Sequence, residues 1–267
     1  MPSGFQLARH QATAYESFTR VFMEGSAQLL AEGALIRAGD TVLDLACGTG
    51  LVARHAVGLV APNGRLVGAD INPAMLEIAR GSIDGGVEWV ESPSDALPFD
   101  DDTFTHVICQ QGFQFFPDPT AAMRETARVL QPGRVLIATV WATPDQNPYI
   151  ENQLDLLAEL DPSLATSVQR ATPAHADDFL RSTARTAGFH DIEVTMVEHD
   201  VDIEDFEPWF LAQTGGTPWG PALAALTDAG RQELATAMAV RIESYARSDG
   251  GHRIPFRSFR LEARVPE

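Results

Sequence analysis

The sequence contains no lysine: all of its 19 basic residues are arginines, against 37 acidic residues, and the formal net charge is −18. The arginines are scattered along the chain and form no basic run. An acidic chain without a local basic patch repels the phosphate backbone of a nucleic acid. The composition therefore argues against a nucleic acid as substrate or partner.

Cysteines and long apolar runs are also scarce. Two cysteines, Cys47 and Cys109, are too few for a disulfide framework or a cysteine-rich zinc site. No metal site is expected either, because the adjacent acids Asp100, Asp101 and Asp102 point in different directions. The longest apolar runs have the length of strands, and the first residues show no signal-peptide pattern. We expect a cytoplasmic protein that does not bind a membrane.

The chain is organised around residues 41–50, which have the sequence TVLDLACGTG. Val42, Leu43 and Leu45 form the pattern of a short buried strand, and Asp44 lies near its end. Glycines then free the backbone to turn sharply into a helix. This order of strand, glycine turn and helix is typical of nucleotide-type sites.

Two classes of ligand compete for the glycine turn. Gly48, Gly50 and Ala53 match the G-x-G-x-x-G/A spacing of a dinucleotide-binding turn, with Asp70 where a ribose-binding acid is expected. Asp44 favours the other class, because a carboxylate at the mouth of the turn repels a pyrophosphate. The motif therefore favours a cationic ligand.

The pattern Asp44-Leu45-Ala46-Cys47-Gly48-Thr49-Gly50 resembles motif I of the class I S-adenosylmethionine (SAM)-dependent methyltransferases. SAM carries an ammonium and a sulfonium, so its charge agrees with an acid in this position. The resemblance implies that SAM is the cofactor. It also implies cofactor contacts from Asp44, Ala46, Gly48, Thr49 and Gly50.

A second acid ends the second predicted strand, Arg65 to Asp70. A carboxylate at this strand end can accept hydrogen bonds from both hydroxyls of a ribose. The alternative role, capping the next helix, is already filled by Asn72. The resemblance adds Ile71 and Met75 to the cofactor site.

Two later strand ends extend the resemblance. After the strand Val87 to Val90, Asp95-Ala96-Leu97-Pro98-Phe99 is similar to the family segment D-A-x-x-L-P-F, which implies cofactor contacts from Ser94, Asp95 and Ala96; a plain loop acid is the alternative for Asp95. The next strand starts at His106, expected to be a core or edge histidine. It ends at Gln110 and Gln111, which should border the methyl-transfer position. This stretch resembles the small-molecule type 11 branch, related to the ubiquinone/menaquinone C-methyltransferases.

Helical segments before and after these motifs carry many aromatic residues. Residues 12–36 have helical spacing with a break predicted at Gly25, and they either pad the sheet or, as in the resembled family, fold over the ligand as a lid. Glu204 to Arg247 is expected to form helices above the strand ends. The predicted substrate contacts are Tyr15, Phe18, Phe115, Trp141, Trp209 and Trp219.

The predicted fold is α/β, a doubly wound, Rossmann-like methyltransferase sheet of seven mostly parallel strands with helices on both faces. One antiparallel hairpin strand is expected at its edge, and the two outer strands are His190 to Val201 and Pro255 to Val265. We divide the chain into a helical lid (1–36), a SAM-binding core (37–203), a helical cap insertion (204–250) and the last core strand (251–267).

These observations predict a SAM-dependent methyltransferase that acts on a small, largely apolar or aromatic molecule. One alternative is a SAM-binding protein of this fold with another activity, such as cyclisation. A second is a nicotinamide-dependent dehydrogenase, which Asp44 and the absence of a Tyr-x-x-x-Lys pair argue against. No catalytic residue can be named, and the acceptor atom stays open. Oligomeric state also stays open, and a homodimer is compatible with the sequence.

Overall fold

The computed structural model describes residues 8–160, 172–213, 217 and 220–267. Its strands are β1 Thr41–Leu45, β2 Arg65–Asp70, β3 Val87–Glu91, β4 Phe104–Gln110, β5 Leu130–Trp141, β6 His190–Ile203 and β7 His252–Arg264. Its described α-helices are α1 Arg9–Gly33, α2 Leu51–Val60, α3 Pro73–Ser82, α4 Pro119–Val129, α5 Pro148–Leu160, α6 Ala176–Thr186, α7 Phe206–Ala212, α8 Gly220–Ala224 and α9 Asp228–Arg241.

The seven strands form one sheet in the order β3-β2-β1-β4-β5-β7-β6. The pairs from β3 through β5 are parallel, and β7 is antiparallel to both β5 and β6. The predicted mostly parallel sheet is therefore confirmed, but the antiparallel strand lies beside the edge and not at it. The edge strand on this side of the sheet is β6, whose exposed acids such as Glu193 and Glu198 disfavour pairing with a further strand.

Alternation along the strands decides which side chains face the helices α1 and α2. Val42, Leu66, Ile108 and Ile137 all pack into the core on that face. Successive side chains of a strand point to opposite faces, so a residue two or four positions further along the strand lies on the same face. Asp44 of β1, Asp70 of β2, Gln110 of β4 and Trp141 of β5 are such residues. The polar strand ends therefore converge under α1.

Helix α1 is continuous over its 25 residues, so the predicted break at Gly25 is wrong. Gly25 is exposed, and the space where a Cβ would lie is empty. One glycine costs a helix only about 1 kcal/mol. The buried residues Phe22, Ala27 and Leu30 on either side of it compensate for that cost by packing.

The remaining boundaries lie close to those predicted from the sequence. Helix α4 ends at Val129, and β5 begins at Leu130, earlier than the predicted Arg134. Among the described helices, none combines the length and apolar character needed to cross a membrane.

Candidate active site

The glycine turn joins β1 to α2 through a left-handed backbone path. Ala46, Gly48 and Gly50 have φ angles of 56°, 54° and 84°. The N–H of Gly50 donates to the carbonyl of Cys47 over 2.8 Å. A Cβ on Gly50 would lie 2.9 Å from the ring of Trp89. Gly50 is therefore required both by its φ and by the packing of Trp89.

Asp44 is the most deeply buried acid of this region, with 1% of its surface exposed. Its Oδ2 atom has no hydrogen-bond partner among the described residues. Burial raises the pKa of Asp44 to about 8; a backbone hydrogen bond from Ala53 lowers it and the charge of Asp70 adds to the rise. A buried acceptor atom left unpaired costs about 1–3 kcal/mol, so this oxygen suits a cationic donor.

Asp70, at the end of β2, connects the glycine turn to the start of α3. Its Oδ2 accepts from the N–H of Gly48 over 2.9 Å, and its Oδ1 accepts from the N–H of Asn72 over 2.8 Å. Burial raises the pKa of Asp70 despite these backbone donors. Asn72 accepts from the N–H of Ala74 over 3.0 Å, which confirms it as the cap of α3.

Helix α1 brings Tyr15 near Asp70. Burial raises the pKa of the Tyr15 phenol, and the negative charges of Asp70 and Glu16 raise it further. The phenol therefore stays protonated at neutral pH. The N-terminal half of α1 therefore lies beside the end of β2.

Ion pairs fix α1 to the first turn of α2. Arg54 contacts Glu16 over 2.5 Å and Glu24 over 3.5 Å, and it donates to the carbonyl of Thr49 in the glycine turn over 3.3 Å. His55 Nε2 lies 2.9 Å from Glu24. Arg54 therefore links the helix above the site to the glycine turn itself.

Gln110 and Gln111, both predicted as cofactor contacts, use their amides within the protein. Gln110 donates to the Ser26 hydroxyl of α1 over 2.8 Å. Gln111 has a φ of 53° and donates to the Ser258 hydroxyl of β7 over 2.9 Å. Gln111 also accepts from Gln114 over 2.9 Å. These two residues join the end of β4 to α1 and to β7.

The turn after β4 packs directly against the glycine turn. A Cβ on Gly112 would lie 2.5 Å from Cys109 Sγ and 3.0 Å from Ala46 Cβ. The absence of a side chain at Gly112 therefore lets the ends of β1 and β4 approach each other. Both cysteines are buried as expected, and burial raises the pKa of Cys47 and of Cys109.

The other predicted cofactor contacts differ in how far they are exposed to solvent. Thr49 is buried and its Oγ1 has no partner among the described residues, and Met75 is buried in the first turn of α3. The loop after β3 is held to β2, since Ser92 donates from its backbone to the carbonyl of Asp70 over 3.0 Å. The remaining predicted contacts are half-buried at Ala46, Ile71 and Ser94 and exposed at Asp95 and Ala96.

Three predicted substrate contacts, Phe18, Trp141 and Trp209, meet in one buried aromatic cluster between α1 and α7. The ring centroids of Phe18 and Trp209 lie 4.9 Å apart. Phe22 stacks on Trp141 at 5.0 Å. Four further members were not predicted as substrate contacts, although two of them share a helix with predicted ones: Phe22, Tyr149, Phe206 and Phe256.

The other predicted substrate contacts are Tyr15, Phe115 and Trp219. Phe115 is half-buried in a short 3-10 helix after β4. Trp219 lies outside the described residues. Tyr15 lies on the same helix as Phe18 but approaches Asp70.

Comparison with known proteins identifies relatives of this chain. A family model described as a methyltransferase domain matches residues 42–133. The ubiquinone/menaquinone biosynthesis C-methyltransferase UbiE of Hahella chejuensis is 38% identical over 126 residues, which cover 45% of this chain and 50% of that relative. The chain thus spans half the length of this relative. The UbiE of Escherichia coli O1:K1 / APEC is 31% identical over 174 residues, which cover 59% of this chain and 69% of the relative. The chain belongs to the class I SAM-dependent methyltransferases.

The fold of this methyltransferase is also found among solved structures. Haemonchus contortus phosphoethanolamine N-methyltransferase 2, in complex with SAM, gives a TM-score of 0.61 at 18% identity, covering 97% of this chain and 58% of that chain. At this identity the likeness shows the fold alone. The predicted family and fold class are thus confirmed.

SAM is the methyl donor of the class I methyltransferases, and the acids of this site suit its charge. The unpartnered Oδ2 of Asp44 could accept from an ammonium group. Among the residues that the structure describes, no group of three His, Cys, Asp or Glu side chains could hold a metal ion.

Proposed function

We propose that this methyltransferase transfers the methyl group of SAM to a small, largely apolar or aromatic molecule and releases S-adenosylhomocysteine. The observation that carries the proposal is the carboxyl of Asp44, which is buried beside the glycine turn and keeps one oxygen without a partner among the described residues. Burial gives this carboxyl a pKa of about 8. The ammonium of SAM would favour its ionised form, whereas a dinucleotide pyrophosphate would disfavour that form.

Asp44 and Asp70 would bind different parts of SAM. The carboxyl of Asp44 would accept from the ammonium group. Asp70 already accepts from the backbone N–H groups of Gly48 and Asn72, and Ile71 supplies a third backbone hydrogen bond. A carboxylate can accept about four hydrogen bonds, so Asp70 would still accept one from the ribose.

Tyr15 would contribute a donor and not a base. Burial and the neighbouring acids raise the pKa of its phenol, so the phenol keeps its proton at neutral pH. It would help exclude water from the cofactor. SAM itself supplies an activated methyl group, so the task of the chain is to orient an acceptor in a dry pocket.

The aromatic cluster supports an apolar or aromatic acceptor. Phe18, Trp141 and Trp209 are all less than 9% exposed, and their ring partners are aromatic. An apolar wall favours a reaction in which the positive charge of a sulfonium is lost. The net charge of −18 disfavours a nucleic acid as acceptor.

Calorimetric titration of the full chain with S-adenosylhomocysteine, and separately with NADH, tests the cofactor. We expect micromolar binding of the first and none of the second. Asp70→Ala should weaken the binding by about 1–3 kcal/mol, because it leaves buried donors unpaired. Asp84→Ala, which removes an exposed acid, is the matched control and should bind like the wild type.

Transfer of a labelled methyl group from SAM to a panel of small aromatic acceptors tests the reaction. Cofactor binding without transfer to any acceptor would favour a protein that only binds SAM or catalyses another reaction. Equal binding of S-adenosylhomocysteine by wild type and Asp70→Ala, or binding of NADH, would refute the assignment of the glycine turn.

A further inference from the structure

The indole N–H of Trp209 is a buried donor that the fold leaves unused. Trp209 is 8% exposed, and its Nε1 has no hydrogen-bond partner among the described residues. Its ring lies 4.9 Å from Phe18 and 5.4 Å from Tyr149, measured between centroids. A buried donor without an acceptor is unfavourable, so its retention in an aromatic cluster points to a ligand atom.

A second donor reaches the same aromatic cluster from a buried polar chain. Gln153 donates to Gln213 over 3.0 Å, and Gln213 donates to the Tyr149 hydroxyl over 2.6 Å. The hydroxyl accepts this bond, and a tyrosine hydroxyl has one proton of its own to donate. The Tyr149 and Trp209 rings lie 5.4 Å apart between their centroids, so both donors belong to the same aromatic cluster.

We propose that Trp209 Nε1–H donates a hydrogen bond to an uncharged oxygen of a planar acceptor molecule, with the Tyr149 hydroxyl as a second donor. Trp209 would then be a specificity-determining residue. This inference rests on the proposed methyl transfer, and it narrows the acceptor to planar molecules with a carbonyl, ether or hydroxyl oxygen.

The arrangement of the rings explains why the acceptor would be planar. Phe18 of α1 and Trp209 of α7 face each other with an angle of 31° between their planes. These two rings belong to different elements, so a flat molecule would have to separate them in order to lie between them. Stacking on both rings would replace the contact that they now make.

The chemistry of the aromatic cluster also excludes charged acceptors. The described rings that surround Trp209 are those of Phe18, Phe22, Tyr149 and Phe206. None of them can neutralise an anion, and a buried unpaired anion is strongly unfavourable. A cation would find no acceptor in the Trp209 N–H, and the positive end of this donor would repel it.

The test uses the full chain labelled with ¹⁵N in its tryptophan indoles, and two probes of similar shape, 2-acetylnaphthalene and 2-isopropylnaphthalene. The chain has four tryptophans, so the indole region holds four signals. We expect the ketone to shift the Trp209 proton downfield and the hydrocarbon to leave it in place. The ketone should also bind about tenfold more tightly, the ratio that one hydrogen bond gives.

Two variants connect the signal to the proposed role. Trp209→Phe should remove the shifted signal and lower the affinity ratio of the two probes to whatever the Tyr149 hydroxyl alone supplies. Trp141→Phe removes another indole of the same cluster, and it should keep the ratio even if both affinities fall. The shift is measured in the wild-type chain, so it remains informative if Trp209→Phe does not fold.

Several results would overturn the inference. These are equal affinities for the two probes, binding of neither probe, an unshifted Trp209 proton with bound ketone, and tighter binding of 2-naphthoate than of the ketone. The probes are titrated with and without S-adenosylhomocysteine. A failure of S-adenosylhomocysteine to bind would therefore refute the proposed function separately, while the response of Trp209 would still decide the acceptor chemistry.

Discussion

Replacing Asp44 with asparagine should stabilise the protein without its cofactor and weaken its binding of the cofactor. Asparagine has nearly the shape of aspartate and can still accept the backbone hydrogen bond from Ala53. The substitution removes a carboxylate whose charge is unfavourable in a buried site. It also removes the carboxylate that we propose binds the ammonium group of SAM.

The magnitude follows from the pKa of Asp44, which burial raises from the ordinary 3.8 to about 8. Between these values the folded chain keeps a proton that the unfolded chain has released, so the free energy of unfolding falls as the pH rises. By pH 7 this proton lowers the free energy of unfolding by at most about 4 kcal/mol, since each pH unit above 3.8 contributes about 1.4 kcal/mol. Above about pH 8 the free energy of unfolding no longer falls for this reason.

Urea unfolding of wild type and Asp44→Asn between pH 4.5 and pH 8.5 measures this effect. The advantage of the variant should grow with pH by a few kcal/mol and then level off. Asp84→Asn, at an exposed acid, should show no such growth. A difference between Asp44→Asn and wild type that does not change with pH would refute the raised pKa. Undiminished binding of S-adenosylhomocysteine by Asp44→Asn would refute its role at the ammonium.

Three further substitutions test the packing around the site. Gly68→Ala should destabilise the protein by about 1–3 kcal/mol in urea unfolding, because its Cβ would lie 2.4 Å from the ring of Trp89. Gly25→Ala, with open space at its Cβ, should instead stabilise α1 by about 0.5–1 kcal/mol in the same assay. Arg54→Ala leaves the half-buried Glu16 without its cation and should speed amide exchange in α1 and release of S-adenosylhomocysteine. Stabilisation by Gly68→Ala, destabilisation by Gly25→Ala or unchanged exchange in Arg54→Ala would contradict these expectations.

The sheet could be predicted because its signals are local. Each parallel strand is a short apolar run, and turn residues such as Gly48, Gly50 and Asn72 lie directly after two of them. The position of β7 in the sheet was harder to predict, because β7 pairs with two strands that lie far from it in the sequence. Only the one-sided burial of β6 distinguishes that strand as the edge.

The candidate site divides in the same way between local and distant interactions. Asp44 and Asp70 belong to motifs that a short window of sequence contains. The hydrogen bond from Gln111 to Ser258 spans 147 residues, so no local pattern predicts it. The residues of the aromatic cluster also come from distant parts of the sequence. Those predicted as substrate contacts lie next to a predicted strand end or on a predicted helix.

The wrong prediction at Gly25 still identifies a physical property of α1. Before Gly25, the helix contacts the site through Tyr15, Glu16 and Phe18. After it, Ala27, Leu30 and Ala31 are buried in the core. Gly25 therefore follows the residues that approach Asp70 and Arg54, although Ser26 just after it still binds Gln110 of the site. If cofactor entry bends the helix there, Gly25→Ala should slow association of S-adenosylhomocysteine in stopped-flow measurements while stabilising the fold. An unchanged association rate would mean that α1 moves as one unit or not at all.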